Sequence, residues 1–229
     1  MAIWVTEQIP CHGCGAQFSG RTFTGIGATR HPEIADEIVA GTLHRFTCPE
    51  CERSILVEKP FCYTDLSALH CVLVHPRSQL DSWARAERDI LDLYRRYIVE
   101  EPTGQLFTAA DHERFKVRAV FGYERLREKL ILWREDIDDR IIEVAKLHLL
   151  AKQPYFMDHG YVDLVAVEVS RARDVLTFVA IPPRAAQPLT VSGTLTIYRQ
   201  LEAAADALAD EHPGLFGQPF VDYRRYGDQ

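Results

Sequence analysis

Two short stretches decide how this chain reads: Cys11-His12-Gly13-Cys14-Gly15 and Cys48-Pro49-Glu50-Cys51. Each is a C-x2-C hook, and the 33 residues from Gly15 to Thr47 separate them. Two such hooks bring four thiolates to one point. Four thiolates in a tetrahedron are what Zn²⁺ accepts in a closed structural site, with Zn–S near ~2.3 Å. The short loops let backbone N–H groups turn back on the sulfurs and spread their charge. Gly13 and Gly15 suit the tight first turn, because glycine adopts positive φ without a Cβ clash. Pro49 presets φ in the second turn. Glu52 stands where the first hook has Gly15, so the second turn either carries mild strain or bends differently. One rival is four unrelated buried or disulfide-bonded cysteines. Another is a redox C-x-x-C, which comes as one motif beside a βαβ unit and not as two facing hooks. Iron in a rubredoxin-like site stays open as an alternative metal, since the same thiolates bind it. The expected ligands are Cys11, Cys14, Cys48 and Cys51, holding one structural zinc ion.

Around the hooks the pattern is mostly strand. Ala2–Ile9 runs into the first hook and Phe18–Ile26 leads away from it. Leu43–Thr47 and Ser54–Glu58 flank the second hook as a hairpin with the metal at its tip. Between them, Pro32–Ala40 reads as a short helix, with Pro32 at its first position, Glu33 at its positive end, Gly41 as its stop, and Ile34 and Ile38 inward. Phe61–Tyr63 and Leu69–His75 form another hairpin. A two-residue loop at Leu66-Ser67 would set Cys62 opposite Cys71. A cross-strand disulfide, or a metal shared with His70, is then conceivable, but two small buried thiols are the preferred reading.

The residues Phe46-Thr47-Cys48-Pro49-Glu50-Cys51 and Val57-Glu58-Lys59-Pro60-Phe61-Cys62-Tyr63, with Cys11 and Cys14, resemble the bacterial CpXC-domain proteins over about residues 9–78. The stretch Leu126–Leu147, with Asp138-Asp139-Arg140, also looks like the segment C-terminal to that domain in longer members. The first hook departs from the C-P-x-C pattern, with His12 in place of proline. The resemblance implies a zinc-type four-cysteine domain and no settled biochemical activity.

Beyond residue 78 the periodicity turns helical. Leu80–Glu100 has Trp83, Ala86, Ile90, Leu91, Leu93, Tyr94, Tyr97 and Ile98 at helical spacing, with charges between them. Asp111-His112-Glu113-Arg114 reads as a charged turn before a strand, Phe115–Phe121. A long helical region, 123–151, repeats Leu126, Leu130, Trp133, Ile137, Ile141, Val144 and His148, with a break near Glu135–Asp138 where Asp138 caps a second helix. The later half is apolar on nearly every side, which marks burial. Then come a hairpin, Tyr161–Val169 and Asp174–Ile181, a third short strand at Leu189–Val191 and a helix, Leu195–Glu211. A last edge strand is expected at Phe220–Tyr223, followed by a loose tail.

These segments give an α+β fold in two parts. Residues 1–78 form a mostly β, zinc-ribbon-like domain. Residues 79–229 form a mixed domain of helices on a small sheet, with long helices at 80–100 and 123–151. The 229 residues carry a formal charge of −7, and 47% are hydrophobic. That balance supports a packed core and argues against non-specific nucleic-acid binding, which runs on Lys and Arg neutralising phosphates. No run reaches the ~20 apolar residues of a membrane span. Cysteines kept as thiols fit a reducing, cytoplasmic location. The expected function is a zinc-stabilised interaction or regulatory protein acting through protein partners, with homo-oligomers possible and no catalytic residues assigned. One alternative is an enzyme with a site near Glu135–Asp139 or Asp158-His159. The other is a nucleic-acid-binding ribbon using Arg21, Arg30, Arg45 and Arg53.

Overall fold

The computed structural model describes residues 2–101, 106–152, 163–181 and 187–226. Among these are ten strands and eight α-helices in a mixed α+β arrangement. Packing divides the chain into two compact units, 1–126 and 127–229.

In the first unit, β1 (Ala2–Pro10) and β2 (Gln17–Gly27) make an antiparallel hairpin that carries the first hook at its tip. β3 (Arg45–Thr47) and β4 (Ser54–Leu56) make a second hairpin with the other hook at its tip. The helix α1 (Pro32–Ala40) starts on Pro32 and ends on Gly41, whose φ of 73° only glycine takes without strain. β5 (Phe61–Asp65), β6 (His70–His75) and β7 (Lys116–Phe121) complete a five-stranded mixed sheet of order β1-β2-β5-β6-β7. The β2–β5 and β6–β7 joints are parallel, and the other two are antiparallel. The sequence reading divides the chain at 78/79. By packing, the first unit runs on to Leu126, because β7 returns to the sheet that the N-terminal strands began.

The β5–β6 hairpin differs from expectation in register. Asp65 pairs with His70, so the loop holds four residues, not two. The cause is the Asp65 carboxylate, which accepts the N–H groups of Ser67 and Ala68 and the Ser67 hydroxyl and so widens the turn. Leu69 closes the loop at φ 58°. Cys62 therefore faces Leu73 and Cys71 faces Thr64. Cys62 and Cys71 are diagonal neighbours, and both are free thiols that share a hydrogen bond.

The expected helix at 80–100 is a continuous helical run in three segments. A 3-10 turn (Arg77–Ser82) leads into α2 (Trp83–Tyr94), which passes into a π-helical turn (Arg95–Val99). The expected charged turn at Asp111–Arg114 is a short helix, α3 (Ala109–Arg114). Thr108 and Asp111 form a reciprocal capping box at its start.

The second unit contains most of α4 (Tyr123–Arg134), then α5 (Asp139–Lys152). The break between them falls where the sequence places it. β8 (Asp163–Ser170), β9 (Val175–Ile181) and β10 (Leu189–Gly193) form an antiparallel sheet of order β10-β9-β8. The expected single helix Leu195–Glu211 is two helices, α6 (Thr196–Glu202) and α7 (Ala205–Glu211), separated at Ala203-Ala204. A one-turn helix, α8 (Pro213–Gly217), comes next. No strand forms at Phe220–Tyr223: Phe220, Val221 and Asp222 are buried irregular chain, and Tyr223 opens a 3-10 turn (Tyr223–Tyr226). Nor is Arg224 loose. It is buried in a bidentate pair with Asp222, at 2.6 and 2.8 Å.

Buried charges explain that C-terminal anchoring. Lys129, Lys146, Glu128, Glu143 and Asp139 are each at most 2% exposed. Lys146 Nζ lies 2.7 Å from Glu128 and 2.8 Å from Glu143. Lys129 Nζ reaches Asp139 at 3.0 Å, Glu143 at 3.3 Å and the Val221 carbonyl at 2.8 Å. These carboxylates also accept main-chain donors. Glu143 accepts the Tyr223 N–H at 3.1 Å, and Glu128 accepts the Ala166 N–H of β8. The Tyr223 hydroxyl accepts the Leu164 N–H at 2.9 Å. Side chains thus meet two N–H groups of β8, at Leu164 and Ala166, in place of a further strand.

Candidate metal centre

Both hooks are built alike. In the first, Cys11 donates its N–H to Ala16 O and Gly15 donates to Cys11 O, each at 2.8 Å. In the second, Cys48 donates to Arg53 O and Glu52 to Cys48 O, each at 2.9 Å. Gly15 and Glu52 occupy matching places, at φ 78° and 56°. The second turn therefore bends as the first does, and Glu52 bears the strain that Gly15 avoids.

Two glycines let the hairpin tips meet. A Cβ on Gly13 would lie 2.7 Å from the Arg53 guanidinium carbon. On Gly20 it would lie 2.2 Å from Ile9 Cδ1 and 2.9 Å from Phe46 Cε1. Phe46 also meets Phe18 edge to face, with ring centroids 6.5 Å apart. That aromatic contact holds the β3–β4 hairpin against the β1–β2 hairpin.

The result is four sulfurs within 4.8 Å of one another, from Cys11, Cys14, Cys48 and Cys51. The Cys11–Cys51 and Cys14–Cys48 sulfur pairs are each 3.6 Å apart. A tetrahedron with metal–sulfur bonds of ~2.3 Å has edges of about 3.8 Å, so the four sulfurs fit one ion with little movement. Cys11 and Cys48 are buried, while Cys14 and Cys51 face outward. The N–H groups of Cys14 and Gly13 hold the Cys11 thiol down to about 6. The Ala16 N–H favours the Cys14 thiolate, but desolvation and the neighbouring sulfurs outweigh it and push Cys14 up to about 12. Without a cation four thiolates cannot crowd together, and a divalent ion is what makes full deprotonation favourable. His12, which departs from the proline of the resembled pattern, is exposed and leaves the turn intact.

No second cluster of this kind occurs among the described residues. The acidic junction is dispersed among separate partners. Asp138 accepts the Arg140 N–H at 2.9 Å and pairs with its guanidinium at 2.6 Å, so it caps α5 as expected. Asp139 points inward to Lys129 and to the Trp133 indole N–H. Glu135 accepts the Arg171 N–H, and Asp136 turns the chain at φ 54°. The His112 ring shares a 2.7 Å hydrogen bond with Tyr94. Asp158 and His159 lie outside the described residues. An open depression of about 480 Å³ beside α2 includes His75, Gln79, Asp81, Arg85 and Asp89. His75 bonds Gln79 at 3.2 Å and Arg85 faces Asp89 at 3.5 Å.

Sequence reasoning missed His44. It sits at the base of the β3–β4 hairpin at φ 49°, packed on Phe23 at 4.5 Å between ring centroids. Its Nε2 accepts the Phe23 N–H at 3.3 Å, which fixes the proton on Nδ1, and Nδ1–H donates to the Tyr123 hydroxyl at 2.8 Å. Tyr123 in turn donates to Lys59 O and accepts the Lys59 N–H. Burial pushes His44 down to about 4, so it is neutral at pH 7. A lone histidine in a strand-like run carries no signal of this role.

A family model described as CpXC protein matches residues 9–146, more than half of the chain. That span takes in both hooks and the α4–α5 junction. Neither a curated protein nor a solved structure matches.

Proposed function

We propose, from the premise that the chain belongs to the CpXC family, that it is a cytoplasmic interaction or regulatory protein whose first unit is stabilised by one structural Zn²⁺. Cys11, Cys14, Cys48 and Cys51 would hold the ion. One observation carries the reading: four sulfurs on two hairpin tips lie at the separations of a closed tetrahedron. Four thiolates leave no position for water or substrate, so the ion would serve as a cross-link, and activity would lie in the surfaces it holds in place. The chain's own residues supply the rest. Backbone N–H groups stabilise thiolate, Gly13 and Gly20 permit close approach, and Phe18 with Phe46 aligns the hairpins. The Glu135, Asp138 and Asp139 carboxylates each have their own partner, which favours a structural role over a catalytic one.

Elemental analysis of the purified full chain tests the metal, with one zinc per chain expected. Hydrogen exchange with and without a strong chelator tests its role. Residues 9–60 should lose protection first, and α4 and α5 should keep theirs. Iron with a reversible redox couple would replace the structural reading with electron transfer. Unchanged exchange over 9–60 after metal removal would show that the site does not hold this region together.

A further inference from the structure

Two thiols lie outside the four-cysteine centre, on neighbouring strands of the five-stranded sheet: Cys62 on β5 and Cys71 on β6. Side chains alternate along a strand, so the pairs Cys62–Leu73 and Thr64–Cys71 set both thiols on one face. Phe61, Tyr63, Val72 and Val74 take the opposite face and are buried. The cysteine face is closed unevenly. α2 packs on β6 and β7, and Cys71 is 0% exposed. Cys62 stands one strand further from α2 and is only half-buried. Its register neighbour on β2 is Gly25, where an added Cβ would meet only Ile3 Cδ1, at 3.6 Å. No side chain at that position closes over Cys62.

The two thiols share a hydrogen bond. Cys71 donates it and holds Cys62 below the usual thiol range. The same bond, with burial, pushes Cys71 up. Oxidant-sensing cysteines combine thiolate character, access and a second thiol close by.

We propose that Cys62 and Cys71 form a reversibly oxidisable dithiol, in which Cys62 takes oxygen from a hydroperoxide and Cys71 closes the disulfide. In the first step the Cys62 thiolate attacks the distal peroxide oxygen. The O–O bond breaks, and the alcohol, or water from hydrogen peroxide, leaves with a proton. Cys62 is oxidised by two electrons to the sulfenic acid, and the peroxide is reduced. In the second step the Cys71 sulfur attacks the Cys62 sulfur, the S–O bond breaks, and the Cys71 proton leaves with hydroxide as water. Two thiols and one hydroperoxide thus give one disulfide, one alcohol and one water. Such a bond suits the cytoplasmic reading above, because disulfides in a reducing compartment are transient. The site needs no metal.

The test treats the reduced full chain with a small excess of hydrogen peroxide, then unfolds it in denaturant with an alkylating reagent. Both cysteines fall in one tryptic peptide, 54–77. It should carry two alkyl groups before peroxide and none after, when it should be lighter than the dithiol by two hydrogens. A dithiol reductant should restore both labels. In Cys71→Ala the resolving thiol is gone, so a cyclic diketone that traps sulfenic acid should label Cys62. In Cys62→Ala, Cys71 should oxidise at least ~10-fold more slowly than in the parent, because sealed thiols are inert. A peptide that keeps either label after peroxide overturns the proposal, and so does a Cys71 that oxidises as fast without Cys62. Zinc content, measured before peroxide is added, reports on the metal reading separately.

Discussion

Each unit of this protein ties distant chain segments together with polar ligands, and the two do so in opposite ways. In the first, four cysteine sulfurs gather at the tips of two small hairpins, and two of the four are exposed. In the second, Lys129, Lys146, Glu128, Glu143 and Asp139 form a network with almost no exposure, and they also satisfy main-chain groups of β8 and of the C-terminal segment. A metal–thiolate centre brings its own bond energy and needs little core around it. A buried ion network has to be offset by complete pairing, because each lone charge left in the interior is costly. The lesson is that the first cross-link is set by local spacing and the second by the whole fold.

The sharpest way to break the comparison is to take away the metal. Chelation or Cys48→Ser should remove a metal-binding contribution of ~10–16 kcal/mol, the scale for small zinc modules, and disorder residues 9–60. The second unit's exchange protection should survive. Uniform loss across both units would mean that they share one cooperative transition.

The reciprocal change is Lys146→Met. It removes the cation that Glu128 and Glu143 share, leaving Glu143 with Lys129, and should cost about 3–5 kcal/mol in urea unfolding. Zinc content should not change. A cost under ~1 kcal/mol would mean that the carboxylates find other partners.

A third test turns on pH. His44 is held neutral, with its folded value near 4 against an ordinary 6.5, so the unfolded chain binds more protons between those limits. Its contribution is whole above pH 6.5 and is lost as pH falls toward 4, by ~2–3 kcal/mol at most. Acid also protonates the thiolates, so the measurement is a difference: unfolding of the parent and of His44→Asn, followed from pH 7.5 to 4.5. The parent should lose the larger share, and parallel curves would remove His44 from the account.

The smallest effect belongs to the junction. Asp138→Ala removes the α5 cap and an Arg140 pair that is partly exposed, and should cost ~1 kcal/mol with no change in metal content. A tightly bound divalent ion at Asp138 or Asp139 would contradict the structural role.

The sequence shows the four-cysteine centre plainly because each hook is a local turn, whose chemistry is written in consecutive residues. The α4–α5 break and the Asp138 cap are legible for the same reason. The β5–β6 register is not, because Asp65 spends its carboxylate on widening a loop that the cysteine spacing suggested was tight. Nor is the ion network. Lys129 lies 14 residues from Glu143 and 92 from Val221, and each member looks in sequence like an ordinary charge on a helix face. The buried Phe220–Tyr223 segment misled for a related cause. Its apolar and aromatic residues suit an edge strand, but Lys129 and Glu143 take two of its backbone groups instead.

The order of the strands bears on events during synthesis. All four sulfurs, with both hairpins that carry them, lie within the first 56 residues, and each hairpin closes on itself. The sheet that supports them needs β5 to join β2 in parallel, and that strand begins only at Phe61. Local pairings form before distant ones when loop closure limits the rate. On the proposed zinc reading, the nascent chain meets the ion while most of its residues are still unmade, and a chain stalled with about 60 residues outside the ribosome should already retain zinc. If it does not, the sheet comes first and the ion locks a site that is already standing.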